Sequence, residues 1–92
     1  MAPPPEQMSG AFKQAIMTLV SARGVGKTIC PSEAARTVSP EAWRSLMGEV
    51  RAEAVRLAKS GNIVIYRKGK PVDPESFKGV YRLGLPRDGP GR

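Results

Sequence analysis

Residues 39–66 read SPEAWRSLMGEVRAEAVRLAKSGNIVIY, and this stretch decides the fold. Ser39-Pro40-Glu41 is a helix start: a serine that can cap free amides, a proline suited to the first helical position, and an acid at the positive end of the dipole. Beyond it Trp43, Leu46, Met47, Val50, Ala54, Leu57 and Ala58 fall within about 60° of one line, at about 100° per residue. Ser60-Gly61-Asn62 stops the helix with a residue that can enter the left-handed region. The spacing therefore predicts a helix over about 40–60, with Trp43 in the core. Ile63-Val64-Ile65-Tyr66 is β-branched and aromatic, so it reads as a strand.

Upstream, Met8, Ala11, Phe12, Ala15, Ile16, Leu19 and Val20 recur at helical spacing. They predict a helix from about Glu6 to Ala22 or Arg23, closed by Gly24 and Gly26. Residues 27–30 leave room for a stub of strand. Pro31 and Glu33 open a short helix over 31–37, with Ala34, Ala35 and Val38 turned inward. Its distance from Ser39 is that of a helix-turn-helix.

Downstream, Lys68-Gly69-Lys70-Pro71 reads as a break, and Asp73-Pro74 with Gly79 as loop. Val80 to Leu85 alternates, with Tyr81, Leu83 and Leu85 on one face. Three helices followed by a two-stranded hairpin make a winged helix-turn-helix, an α+β and mainly helical fold. The hairpin gains stability by laying Ile63, Ile65, Tyr81 and Leu83 on the helices. The expected division is a Pro-rich flexible lead over 1–5, one domain over 6–86 and a flexible tail over 87–92.

With 92 residues the chain supports one modest core. Enzyme architectures generally need roughly 150 residues or more to wall off a pocket, so no catalytic residues are assigned. There is no histidine and one cysteine, Cys30, which leaves no metal site, no Cys–His nucleophile and no internal disulfide. No cofactor is implied. Residues 1–6 lack the basic and apolar regions of a secretory leader, and no apolar run matches a membrane span. The expected compartment is cytoplasmic.

The net charge is +7. Residues 1–55 hold six basic and five acidic side chains, a balance of +1; residues 56–92 hold nine and three, a balance of +6. A field concentrated in the last third attracts polyanions. On the predicted third helix Arg44, Gly48 and Arg51 form an outward row, with Ser45 beside it. Arginines among small residues can approach a major groove and read guanine in a bidentate manner. Arg67, Lys68, Lys70, Lys78 and Arg82 surround the predicted wing, where they can meet phosphates or a minor groove. Duplex DNA is the expected partner. The alternative is a protein partner on the same scaffold, with the charges serving solubility and edge protection. The oligomeric state is not legible.

Two motifs invite chemistry. Gly24-Val25-Gly26-Lys27-Thr28 looks like the end of a phosphate-cradling P-loop, but Ser21 stands where a glycine is required and a helix precedes it. It reads as a helix-to-strand turn. Glu33, Glu49, Glu53, Asp73 and Glu75 read as solvated carboxylates away from any apolar face.

The run from Gly26 to Arg36, GKTICPSEAAR, resembles a family of small bacterial proteins catalogued as domain of unknown function 3253. Trp43-Arg44, Met47, Val50-Arg51 and Gly69-Lys70-Pro71-Val72-Asp73-Pro74 extend the resemblance over about residues 10–86. It implies a winged-helix fold in a bacterium and no catalytic residues.

Overall fold

In the computed structural model, which describes residues 5–86, the chain forms α1 (Pro5–Arg23), β1 (Thr28–Ile29), α2 (Pro31–Val38), a 3-10 turn (Trp43–Leu46) and α3 (Met47–Lys59). β2 (Val64–Arg67), β3 (Lys70–Pro71) and β4 (Arg82–Gly84) follow. Pro5 already belongs to α1. The rest of the expected lead, the tail over 87–92 and the side chain of Met8 lie outside the described residues. Among the described residues no helix is long and apolar enough to cross a membrane.

The helical periods translate directly into burial. Phe12, Ala15, Ile16 and Val20 of α1 meet Ala34 and Ala35 of α2 and Val50, Ala54 and Leu57 of α3 in one core. Ala11, expected on the same face, is exposed, and Leu19 is half-buried. α2 starts as its sequence dictates. The Glu33 carboxylate accepts from the Cys30 amide at 2.8 Å and from Arg23 Nη2 at 2.7 Å, so one side chain closes α2 and pins the end of α1.

The expected continuous helix over 40–60 is broken. Ser39 ends α2 instead of starting the next helix, and its hydroxyl accepts from the Ala42 amide at 3.1 Å across a turn over 40–42. The Ala42 carbonyl then accepts from both the Ser45 amide at 3.1 Å and the Ser45 hydroxyl at 2.8 Å. This tightens the chain into a 3-10 turn before α3 begins at Met47. Trp43 is thereby rotated off the buried line and sits half-buried at the edge of the core. A second correction concerns Glu53. It lies on the buried stripe of α3 at 4% exposure and receives Arg56 Nη2 at 2.6 Å, which makes its burial tolerable.

The sheet has four antiparallel strands in the order β1-β4-β2-β3: the expected stub, β1, and an unexpected strand, β3, join the two strands expected as a hairpin. Lys68 and Gly69 take φ of +52° and +80°, two successive left-handed residues that form a tight two-residue turn. The chain reverses there, so Lys70 and Pro71, expected as a break, pair with Arg67 and Tyr66. Pro71 is acceptable because β3 is an edge strand. Strand register places Ile29, Leu83 and Ile65 opposite one another on the inner face, all at the helical core. Thr28, Gly84, Arg82 and Tyr66 consequently share the outer face.

Candidate nucleic-acid interface

The nine residues expected to contact nucleic acid divide among three places. The first is the junction of α2 with the 3-10 turn. Arg44 stands 4.6 Å above the Trp43 ring, and Arg36 of α2 stands 4.3 Å above the same ring. Each guanidinium is held by the ring's electron-rich face while remaining exposed to solvent. Arg36 was not foreseen. Only the folding of α2 back on the turn brings it to Trp43, and its helical position gives no hint of that contact. Ser45 is exposed here, but its hydroxyl is already committed to the Ala42 carbonyl. Since Arg44 and Ser45 belong to the 3-10 turn, they are out of helical step with Gly48 and Arg51, and the single row expected from sequence does not form.

The second place is the seam between α3 and the loop leading to β4. Arg51 Nη2 donates to the Phe77 carbonyl at 2.8 Å, and its guanidinium lies 4.2 Å over the Phe77 ring. Lys59 pairs with Glu75 at 3.1 Å along the same seam. Arg51 is therefore a clamp as well as a surface cation. Lys78 follows Phe77 and is exposed, and Gly48 presents open backbone with no atom close to where a Cβ would stand. Phe77 and Tyr81 pack edge to face with centroids 5.0 Å apart, which seats the loop on the core. Burial pushes the Tyr81 hydroxyl up to about 12, with the Arg51 charge pulling the other way and Cys30 adding to the rise. That hydroxyl has no hydrogen-bond partner among the described residues.

The third place is the outer face and tip of the sheet. Lys68 in the β2–β3 turn and Lys70 at the start of β3 are exposed, with no side-chain hydrogen bond or ion pair among the described residues. Arg82 is drawn away from α3 by strand register and binds Thr28 instead, Nε to Oγ1 at 2.6 Å and Nη2 to the carbonyl at 3.2 Å. Arg67 turns to the Val80 carbonyl at 2.9 Å, closing the base of the loop between β3 and β4. Lys27 and Thr28 run into β1 and not into a helix, so the P-loop geometry is absent.

The residues that pack this arrangement, from α1 to the end of β4, coincide with a known sequence family. The family described as "Protein of unknown function (DUF3253)" matches residues 9–86. The chain belongs to this family. The match covers the three helices from within α1 onward, all four strands and the loop between β3 and β4. Comparison with the curated proteins gives no match.

Proposed function

We propose that this member of the family is a winged helix-turn-helix protein that binds duplex DNA and is not an enzyme. Its α1-β1-α2-α3 order, followed by β2 and β4 with a long loop between them, supports the winged-helix reading, with residues 68–80 as the wing. The sheet order β1-β4-β2 supports it further, because the strand after the wing is inserted between the other two.

The observation that carries the DNA reading is the Arg51 clamp. It fixes the helix that would enter a groove to the loop that would flank it. Of the exposed cations, Lys78 then belongs to a loop held against α3, while Lys68 and Lys70 extend the basic surface at the β2–β3 turn. Phosphate contacts from such lysines supply affinity without sequence information, whereas Arg44 and the free donors of Arg51 can reach base edges. A regulator of transcription in a bacterial cytoplasm is the corresponding role. Val80, 85% exposed at the end of the wing, is the apolar side chain that a protein partner would cover in the second reading.

Fluorescence anisotropy with a labelled duplex at low salt separates the two. We expect saturable binding tighter than the roughly 100 μM typical of weak non-specific contacts. Replacing Lys68 and Lys70 with alanine weakens all sequences alike, and replacing Arg44 reduces any preference among sequences. Absence of duplex binding under these conditions rejects the DNA reading and leaves the protein partner.

A further inference from the structure

We propose that the cleft on the outer face of the sheet, between the α1–β1 turn and the β2–β3 turn, binds a small phosphate-bearing anion. The inference does not require DNA binding by α3: the cleft shares Lys68 with the proposed phosphate contacts, but Lys27 and Arg82 take no part in them.

The floor of this cleft is built, not incidental. Register brings Tyr66, Arg82 and Gly84 side by side on the outer face. A Cβ on Gly84 would stand 2.9 Å from the Lys27 carbonyl and 3.3 Å from both Thr28 Cγ2 and Tyr66 Cε2. Glycine at this position lets the α1–β1 turn settle onto the strand and lets the tyrosine ring lie across it. Tyr66 is only 8% exposed although it sits outside the helical core.

Three cations line the space above that floor: Lys27 from one turn, Lys68 from the other and Arg82 from β4. Arg82 is oriented in advance by its two bonds to Thr28, which use two of its five N–H donors. Among the described residues no carboxylate lines the cleft, and none pairs with these three cations. Elsewhere Arg23, Arg56 and Lys59 each meet a glutamate. Convergent, uncompensated positive charge on a preformed floor suits a compact dianion, which accepts charge-assisted bonds from several donors at once. The cleft measures about 250 Å³, below the range of drug-sized pockets and suited to a phosphate with a small organic group.

Gly26-Lys27-Thr28 thus regains a role that its flanks deny it as a P-loop. β1, and not a helix N-terminus, follows it directly, and among the described residues no acid lines the cleft, so the anion is held by side chains.

The test is an amide NMR titration of the full chain with inorganic phosphate and pyrophosphate at fixed ionic strength, in the presence of a chelator. We expect saturable shifts at Lys27, Thr28, Gly69 and Arg82, half-complete at millimolar concentration or below, while chloride gives none. Lys27→Gln should raise the half-saturation roughly tenfold, the loss of one charge-assisted contact, and Lys27→Arg should restore it to within about threefold. Lys27 is exposed and holds no side-chain bond among the described residues, so melting of Lys27→Gln should match the parent. If its melting temperature falls, Lys27→Met serves in its place. Linear, chloride-like shifts up to about 10 mM overturn the proposal. A duplex that displaces pyrophosphate, and that loses as much affinity on Lys27→Gln, also overturns it, since the cleft would then be part of the DNA surface.

Discussion

Residues 68–80 bury one side chain, Phe77, whereas α1 buries four between Gly10 and Arg23 and α3 buries four along thirteen residues. The helical part is held by apolar contact, which no single bond decides. The segment over 68–80, the wing of the proposed reading, is held by individual polar ties: Arg51 to Phe77, Arg67 to Val80, Lys59 to Glu75, and the Val72 amide to the Ile65 carbonyl at 2.9 Å. Cohesion of the fold and position of the wing are therefore separable properties. Substitutions in the core should melt the molecule, and substitutions at the ties should move the wing while the core persists.

The largest effects belong to the core. Leu57→Ala or Val50→Ala removes fully buried methyl groups and should cost on the order of 1–4 kcal/mol in urea or thermal unfolding. Parent-like stability in both variants would break the comparison at its base. Gly84→Ala comes next. It forces a methyl group against the Lys27 carbonyl and the Tyr66 ring and should cost roughly 1–3 kcal/mol, with β1 and β4 losing exchange protection first.

Tyr81 sharpens the boundary between the two regions. Its hydroxyl is buried without a partner among the described residues, so Tyr81→Phe should leave stability unchanged or raise it by up to about 1 kcal/mol. Its ionisation is pushed up to about 12 by burial. Above the ordinary tyrosine value of about 10 the unfolded chain has lost this proton and the folded chain still binds it. The Tyr81 contribution to stability must therefore fall as the pH rises from about 10 to 12. Unfolding measured across this window should decline more steeply for the parent than for Tyr81→Phe. Parallel curves would place Tyr81 outside the buried seam.

The two regions also differ in how far they can be read from sequence. Phe12, Ile16 and Val20, and likewise Val50, Ala54 and Leu57, announce themselves because burial against a neighbouring layer imposes a helical period on the residues. Pro31 and Glu33 announce the start of α2 for the same local reason. Glu53 defeats that logic, since its polarity conceals its place on the buried stripe until Arg56 is seen across it. The 3-10 turn was illegible because a serine hydroxyl competing for one carbonyl leaves no periodic mark. Lys68-Gly69 did carry a signal, glycine second in a two-residue turn between extended segments, and it specifies the extra strand. The candidate site was least legible. Which cations meet depends on register and long-range packing, and these sent Arg82 to Thr28, Arg51 to Phe77 and Arg36 to Trp43.

Arg51→Met tests the central claim that the clamp makes one DNA-binding surface of α3 and the wing. The variant keeps the helical stem of the side chain and loses the guanidinium. Global stability should fall by only about 1 kcal/mol, because the lost bond and ring contact lie at a part-exposed seam. The decisive measurement is the salt dependence of duplex binding, parent against variant. A displaced loop withdraws Lys78 from phosphate in addition to the lost Arg51 charge, so the slope of log affinity against log salt should flatten by clearly more than the roughly one unit of a single lost contact. A change of one unit or less, or a parent that binds no duplex at low salt, would contradict the account.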